Sequence, residues 1–258
     1  MIPNASYHDP AILKSELGGL FRSGWQFAAM QDELANDRDF VCVDVPDDSI
    51  VVQNFRGELR AFHNVCTHRL NPIQTAERGN RPLMCGYHAW TFDSDGMPLG
   101  KGERQGFVAT REERERLCLT RYRVETCGRF VFVARDRKSP SLDEFLGPFA
   151  NLLRDLSGYM GDQTHFGGVA HAANWKLLVE NVLECYHCST VHPQTFVAGL
   201  GVGREPIADV EIAETPGGVH SSSHFPRVPI KREALRRKIA EAQRQARAWL
   251  NATQRRAA

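Results

Sequence analysis

Two short pairs of metal-binding residue types, Cys66-x-His68 and Cys85-x2-His88, stand sixteen residues apart in the chain. Bringing them together commits the fold to two adjacent loops on a common support. The other five Cys are 42, 118, 127, 185 and 188, which makes seven. An odd count does not suggest a disulfide framework, and clustered Cys in a reducing compartment read as metal ligands. The opening MIPNASYHDP lacks a charged start followed by an apolar run. No stretch approaches the roughly 18–20 apolar residues of a membrane helix. The expected compartment is therefore the cytoplasm, with no membrane partner.

Four N and S donors in two pairs admit two metals. Zinc ligand pairs usually enclose two to four residues, and Cys66-x-His68 encloses one. A [2Fe–2S] centre with two Cys on one iron and two His on the other needs one Cys and one His from each loop, which is what the spacing offers.

Around the pairs, DFVCVDV, SIVVQNF, LRAFHNV, AWTFDSDG and GRFVFVA are short, rich in β-branched and aromatic residues, and punctuated by Gly, Asp, Asn and Pro. They predict a small antiparallel β domain. Helical spacing is expected over 10–36, over LDEFLGPFANLLRDL at 142–156, and from about Asn174. The fold class is α+β. The expected organisation is a helical segment over 1–38, a β domain over 39–160, a second domain over 161–226 and a basic helical tail over 227–258. From Arg227 onward ten Lys and Arg face two Glu, although the whole chain is only +1. A solvated amphipathic helix is expected there rather than a nucleic-acid surface. Cys42, Cys118 and Cys127 read as small strand hydrophobes, and His63 as a surface strand residue.

HNVCTHR and CGYHAWTFDSDG resemble the two cluster-binding loops of the Rieske family, over about residues 40–135. The resemblance implies a [2Fe–2S] cluster on Cys66, His68, Cys85 and His88. NWKLLVENVLECYHCSTVHP at 174–193 resembles the mononuclear-iron segment of Rieske-type non-heme iron oxygenase catalytic subunits, the ring-hydroxylating dioxygenase type. It implies that His187 and His192 are two arms of a 2-His-1-carboxylate triad on Fe²⁺. It also implies that Glu184 links this iron to His88 of a neighbouring subunit in a homo-oligomer, a trimer by family resemblance. Glu at this position recurs in members acting on quaternary amines. Cys185 and Cys188, without a partner pair, read as packing residues.

The resemblance further implies O₂-dependent hydroxylation or demethylation of a small organic substrate in a helix-grip-like domain. Electrons would come from a ferredoxin or flavin reductase. The family's third ligand is a carboxylate well downstream of His192. Asp209, Glu211 and Glu214 are the nearest carboxylates, and none stands in a matching context. His220 and His224 lie in GGVHSSSHFP, which reads as a loop. A chain shortened or frame-disrupted after about Pro226 is expected, with iron held weakly by two His. An electron-transfer protein with an incomplete oxygenase site is the alternative, and a non-catalytic assembly partner a third reading.

Overall fold

The computed structural model describes residues 3–101, 110–160, 171–183, 187–192, 194, 209–215 and 218–224. The chain divides into two units, the first built mainly from residues 1–172. It opens with three short helices, α1 (Ala5–His8), α2 (Pro10–Gly18) and α3 (Leu20–Ser23). The Asp9 side chain caps α2 by accepting from the Ala11 N–H at 2.8 Å.

The helical expectation over 10–36, and with it the helical segment to 38, ends earlier than the apolar spacing suggested. Gly24 is extended and closes α3. Residues Gln26–Met30 form strand β1, followed by a 3₁₀ turn at Gln31–Leu34. The reason is tertiary. QFAAM pairs antiparallel with a strand far along the chain, through Gln26↔Val133 and Phe27↔Phe132. Ladder bonds and burial of Ala29 and Met30 outweigh local helix preference.

The sheet continues with β2 (Asp39–Val45), β3 (Asp48–Phe55), β4 (Glu58–His63), β5 (Arg78–Asn80), β6 (Trp90–Phe92) and β7 (Pro98–Lys101). After helix α4 (Arg111–Arg116) come β8 (Arg121–Cys127) and β9 (Phe130–Ala134). Seven strands form one antiparallel sheet in the order β1-β9-β8-β4-β3-β2-β5, and β6 pairs with β7. Successive β3 residues go to opposite faces. Val51 joins Phe40, Phe62, Leu83 and Trp90, whereas Ile50 and Val52 join Val41, Ala61 and Val131. Both faces are covered, which is why IVV reads as a continuous apolar run rather than an alternating one.

The β6–β7 turn, DSDGM, is set by Asp93, whose side chain accepts from the N–H groups of Asp95 and Met97 at 2.9 Å. Gly96 has φ +80°, and a Cβ there would come within 2.9 Å of the Phe62 ring. Both the backbone and the core therefore require glycine.

The helix expected over 142–156 is two helices, α5 (Leu142–Leu146) and α6 (Phe149–Ser157). Gly147 at φ 53° followed by Pro148 interrupts the ladder. Leu142, Leu146 and Ala150 close a third core patch with Trp25 and Cys127.

The second unit contains α7 (Trp175–Leu183) and α8 (Cys188–Val191). Asn174 caps α7: its Oδ1 accepts from Lys176 N–H at 3.1 Å and its carbonyl from Leu177 N–H at 3.0 Å. Strands β10 (Asp209–Thr215) and β11 (Gly218–His224) form a two-stranded sheet. The latter corrects the loop reading of GGVHSSSHFP. Ladder pairing with β10 supplies what its Ser-rich composition does not reveal. Residues 161–170 and the expected tail helix over 227–258 lie outside the described residues.

Candidate metal centres

The two Cys/His loops have the same backbone. In the first, the Cys66 N–H donates to the Asn71 carbonyl at 2.8 Å, and the Leu70 N–H donates to the Cys66 carbonyl at 2.9 Å. In the second, the Cys85 N–H donates to the Trp90 carbonyl at 2.8 Å, and the Ala89 N–H to the Cys85 carbonyl at 3.0 Å. Bridges Val65↔Pro72 and Met84↔Thr91 close the two loops at equivalent positions. Each turns through a left-handed residue four after its Cys, Leu70 at φ 58° and Ala89 at φ 55°. The loops differ in where the His falls, two residues after Cys66 and three after Cys85.

This arrangement sorts the donors. Cys66 and Cys85 are buried in the core with Ile73, Leu83 and Trp90, and their thiols are in hydrogen-bonding contact. His68 is half-buried and His88 exposed, with ring centres 4.8 Å apart and planes at 67°. Trp90 stacks on His68, and the exposed Tyr87 ring lies 3.9 Å from that of His88.

The donors fall into a thiol pair and an imidazole pair. That is the division a Cys₂His₂ two-iron centre takes, and the residues present fit it.

Burial pushes the Cys66 thiol above its ordinary value, and the neighbouring Cys85 adds to this. The backbone N–H groups of His68 and Arg69 pull in the other direction. Such N–H groups stabilise a thiolate once a metal displaces the proton.

The loops are held by residues that the sequence did not single out. Buried Asn64 donates from Nδ2 to the Gln74 carbonyl at 2.8 Å and accepts the Gln74 N–H on Oδ1 at 2.9 Å. Arg81 donates from one terminal nitrogen to the Ile73 carbonyl at 2.7 Å and the Met84 carbonyl at 3.2 Å. Its Nε donates to Gln74 Oε1. Arg81 therefore joins the end of the first loop to the start of the second. The only cue in the sequence is a polar Asn between the strand end at His63 and the apolar Val65 in HNVC.

His63 is on β4 as expected, but it is not a bare surface residue. Its Nε2 lies 3.2 Å from Asp48 Oδ1, and Asp48 Oδ2 accepts from the Tyr122 hydroxyl at 2.6 Å. Cys42 and Cys127 sit on β2 and β8 as expected. Cys118 precedes β8 instead, its Sγ 3.7 Å from the Arg114 carbonyl, because α4 ends in a turn at that point.

In the second unit the His187 carbonyl accepts from the N–H groups of Thr190 and Val191 at 3.0 and 2.8 Å, starting α8. That single helical turn returns the chain, so the rings of His187 and His192 meet with centres 5.6 Å apart and planes at 72°. Glu184 and Cys185 lie outside the described residues. Asp209, Glu211 and Glu214 are on β10, and His220 and His224 are on β11.

Residues 24–108 match the Rieske [2Fe-2S] domain, and residues 149–258 match the ring hydroxylating alpha subunit catalytic domain. The chain thus combines a Rieske domain with a ring-hydroxylating catalytic-domain match, and the relatives it resembles are Rieske oxygenase large subunits. A Rieske domain implies a [2Fe–2S] cluster, and the catalytic domain implies a mononuclear non-heme iron.

Among relatives of this Rieske chain, the glycine betaine monooxygenase oxygenase subunit of Chromohalobacter salexigens is 33% identical over 200 residues, 75% of this chain and 43% of the relative. The anthranilate 1,2-dioxygenase large subunit of Acinetobacter baylyi is 33% identical over 194 residues, 72% of this chain and 41% of the relative. The apo structure of a quaternary ammonium Rieske monooxygenase superposes with TM-score 0.66 at 29% identity, over 74% of this chain and 57% of that one. The chain thus spans about half the length of the curated relatives it matches. Among the described residues no helix is long and apolar enough to cross a membrane.

Proposed function

We propose that this Rieske chain accepts electrons on a [2Fe–2S] cluster held by Cys66, His68, Cys85 and His88. It passes them to a mononuclear iron held by His187 and His192, for O₂-dependent hydroxylation or demethylation of a small organic substrate. The observation that carries the reading is the two-and-two division of the first four donors. The two thiols are buried together, and the two imidazoles meet towards the surface.

When bound, the cluster supplies one-electron chemistry and the mononuclear iron supplies O₂ activation. The chain's residues do the rest. The N–H groups of His68 and Arg69 steady the Cys66 sulfur, and Trp90 fixes the plane of His68. A ferredoxin or flavin reductase delivers the electrons, and the half-buried and exposed imidazoles face the side from which they leave the cluster. Glu184 accepts imidazole N–H groups from His187 and from His88 of a neighbouring subunit, in a trimer. A quaternary ammonium compound is the first substrate to test. The glycine betaine and quaternary ammonium relatives support it, as does Glu at position 184.

The test is metal analysis with EPR on anaerobically purified protein, then reductase-dependent O₂ uptake with a trimethylammonium substrate. A rhombic signal of low average g on reduction and substrate-dependent O₂ uptake are expected. A colourless protein holding one zinc overturns the cluster. An intact cluster without O₂ uptake leaves the electron-transfer alternative. Chelator treatment separates the two iron sites: a third, chelator-resistant iron that is lost in His187→Ala locates the mononuclear site.

A further inference from the structure

We propose that Asn71 sets the electron affinity of the cluster by donating a side-chain hydrogen bond to the Cys85 sulfur. This rests on the reading that Cys85 is a cluster ligand. Asn71 belongs to the first loop, where its carbonyl accepts the Cys66 N–H at 2.8 Å. Its side chain crosses to the second loop, with Nδ2 3.7 Å from Cys85 Sγ, a usual length for N–H···S. The same nitrogen donates to the Pro72 carbonyl at 2.8 Å. That contact fixes the amide orientation, because a flipped amide would set oxygen against oxygen. Both amide hydrogens are then accounted for, one on Pro72 and one on Cys85. Leu70, left-handed at φ 58°, turns the chain back immediately before Asn71.

The equivalent residue of the second loop is Trp90, whose carbonyl accepts the Cys85 N–H. Its side chain also crosses over, to stack on His68 of the first loop. Each loop thus sends the residue five after its Cys across to a ligand of the other. The indole stacks on a ligand ring, whereas the amide donates a hydrogen bond to a ligand sulfur.

On reduction the cluster gains one electron from its donor, Fe(III) becomes Fe(II), and the cluster becomes one unit more negative. An N–H on a ligand sulfur stabilises that added charge, and hydrogen bonds to the sulfurs are one of the determinants of cluster potential. Losing the donor must therefore lower the potential.

The experiment uses the full-length holoprotein. Asn71→Leu keeps the volume and removes both donors. Its reduction equilibrium should fall about tenfold, which is about 59 mV for one electron. Asn71→Asp, which adds a negative charge as well, should fall further. Independently, wild-type protein carrying isotopically labelled nitrogen only in asparagine side chains should show a weak coupling to the reduced cluster in pulsed EPR. That coupling should vanish in Asn71→Asp. An unchanged potential in Asn71→Leu with an intact Rieske signal overturns the inference. So does the absence of the labelled coupling in wild type, which decides the matter even if the variants fail to assemble. Absence of any Rieske signal in wild type instead overturns the cluster assignment itself.

Discussion

The indole of Trp90 lies flat on the imidazole of His68, with ring centres 4.6 Å apart and planes 3° from parallel. Trp90 is 5% exposed and shares its core patch with both loop cysteines. It therefore serves the core and the orientation of a ligand together. Trp90→Ala should cost about 3–5 kcal/mol in denaturant unfolding, and holoprotein should be purified with much of its iron missing. Trp90→Phe should retain most of both. Full iron and unchanged unfolding in Trp90→Ala would show that the stacking has no role.

Leu70 is left-handed yet 76% exposed, so its side chain contributes little burial to offset the backbone cost. Left-handed backbone costs a non-glycine residue about 1–2 kcal/mol. Against that, glycine's extra unfolded-state freedom costs about 0.5–1 kcal/mol. Leu70→Gly should therefore raise stability by about 0.5–1 kcal/mol, seen as a higher urea midpoint at constant slope. Leu70→Ile, branched at Cβ, should lower it by at least about 1 kcal/mol. The reverse order would mean that Leu70 is covered by something other than solvent in the assembled protein.

Asn64→Ala should strip a partner from both the N–H and the carbonyl of Gln74. Each unsatisfied buried group costs about 1–3 kcal/mol, so a loss of about 2–5 kcal/mol is expected. Because Gln74 also receives Arg81, iron should be released faster to a chelator even when the variant remains folded. Unfolding titrations and timed chelation report the two effects separately.

The thiol of Cys42, on β2, is pushed up from 9.0 to about 11, first by burial and then by the charge of Asp44. The folded state thus holds this proton more tightly than the unfolded chain. Its contribution is complete below about pH 9 and is lost as pH rises through about 11. Stability in that window should fall more steeply in the parent protein than in Cys42→Ala. Parallel pH–stability curves for the two proteins would rule Cys42 out as the titrating group.

Much of the site was legible in the chain because ligand chemistry is local. Cys66-x-His68 and Cys85-x2-His88 carry the donor types and their order within short windows, and the β-branched runs of β2, β3 and β9 carry their own strand preference. His187 and His192 are likewise close enough in sequence for one short helix to bring their rings together. What stayed hidden depends on distant partners. QFAAM becomes an edge strand only because β9 is there to pair with it. Asn64, Gln74 and Arg81 are ordinary polar residues until two loops converge on them. That Trp90 and Asn71 each serve the opposite loop follows from docking the two matching turns face to face. Residue types and their spacing along the chain dictate which atoms can bind metal. The tertiary structure alone decided how those atoms are paired, buried and hydrogen-bonded, because these depend on the positions of groups far apart in the chain.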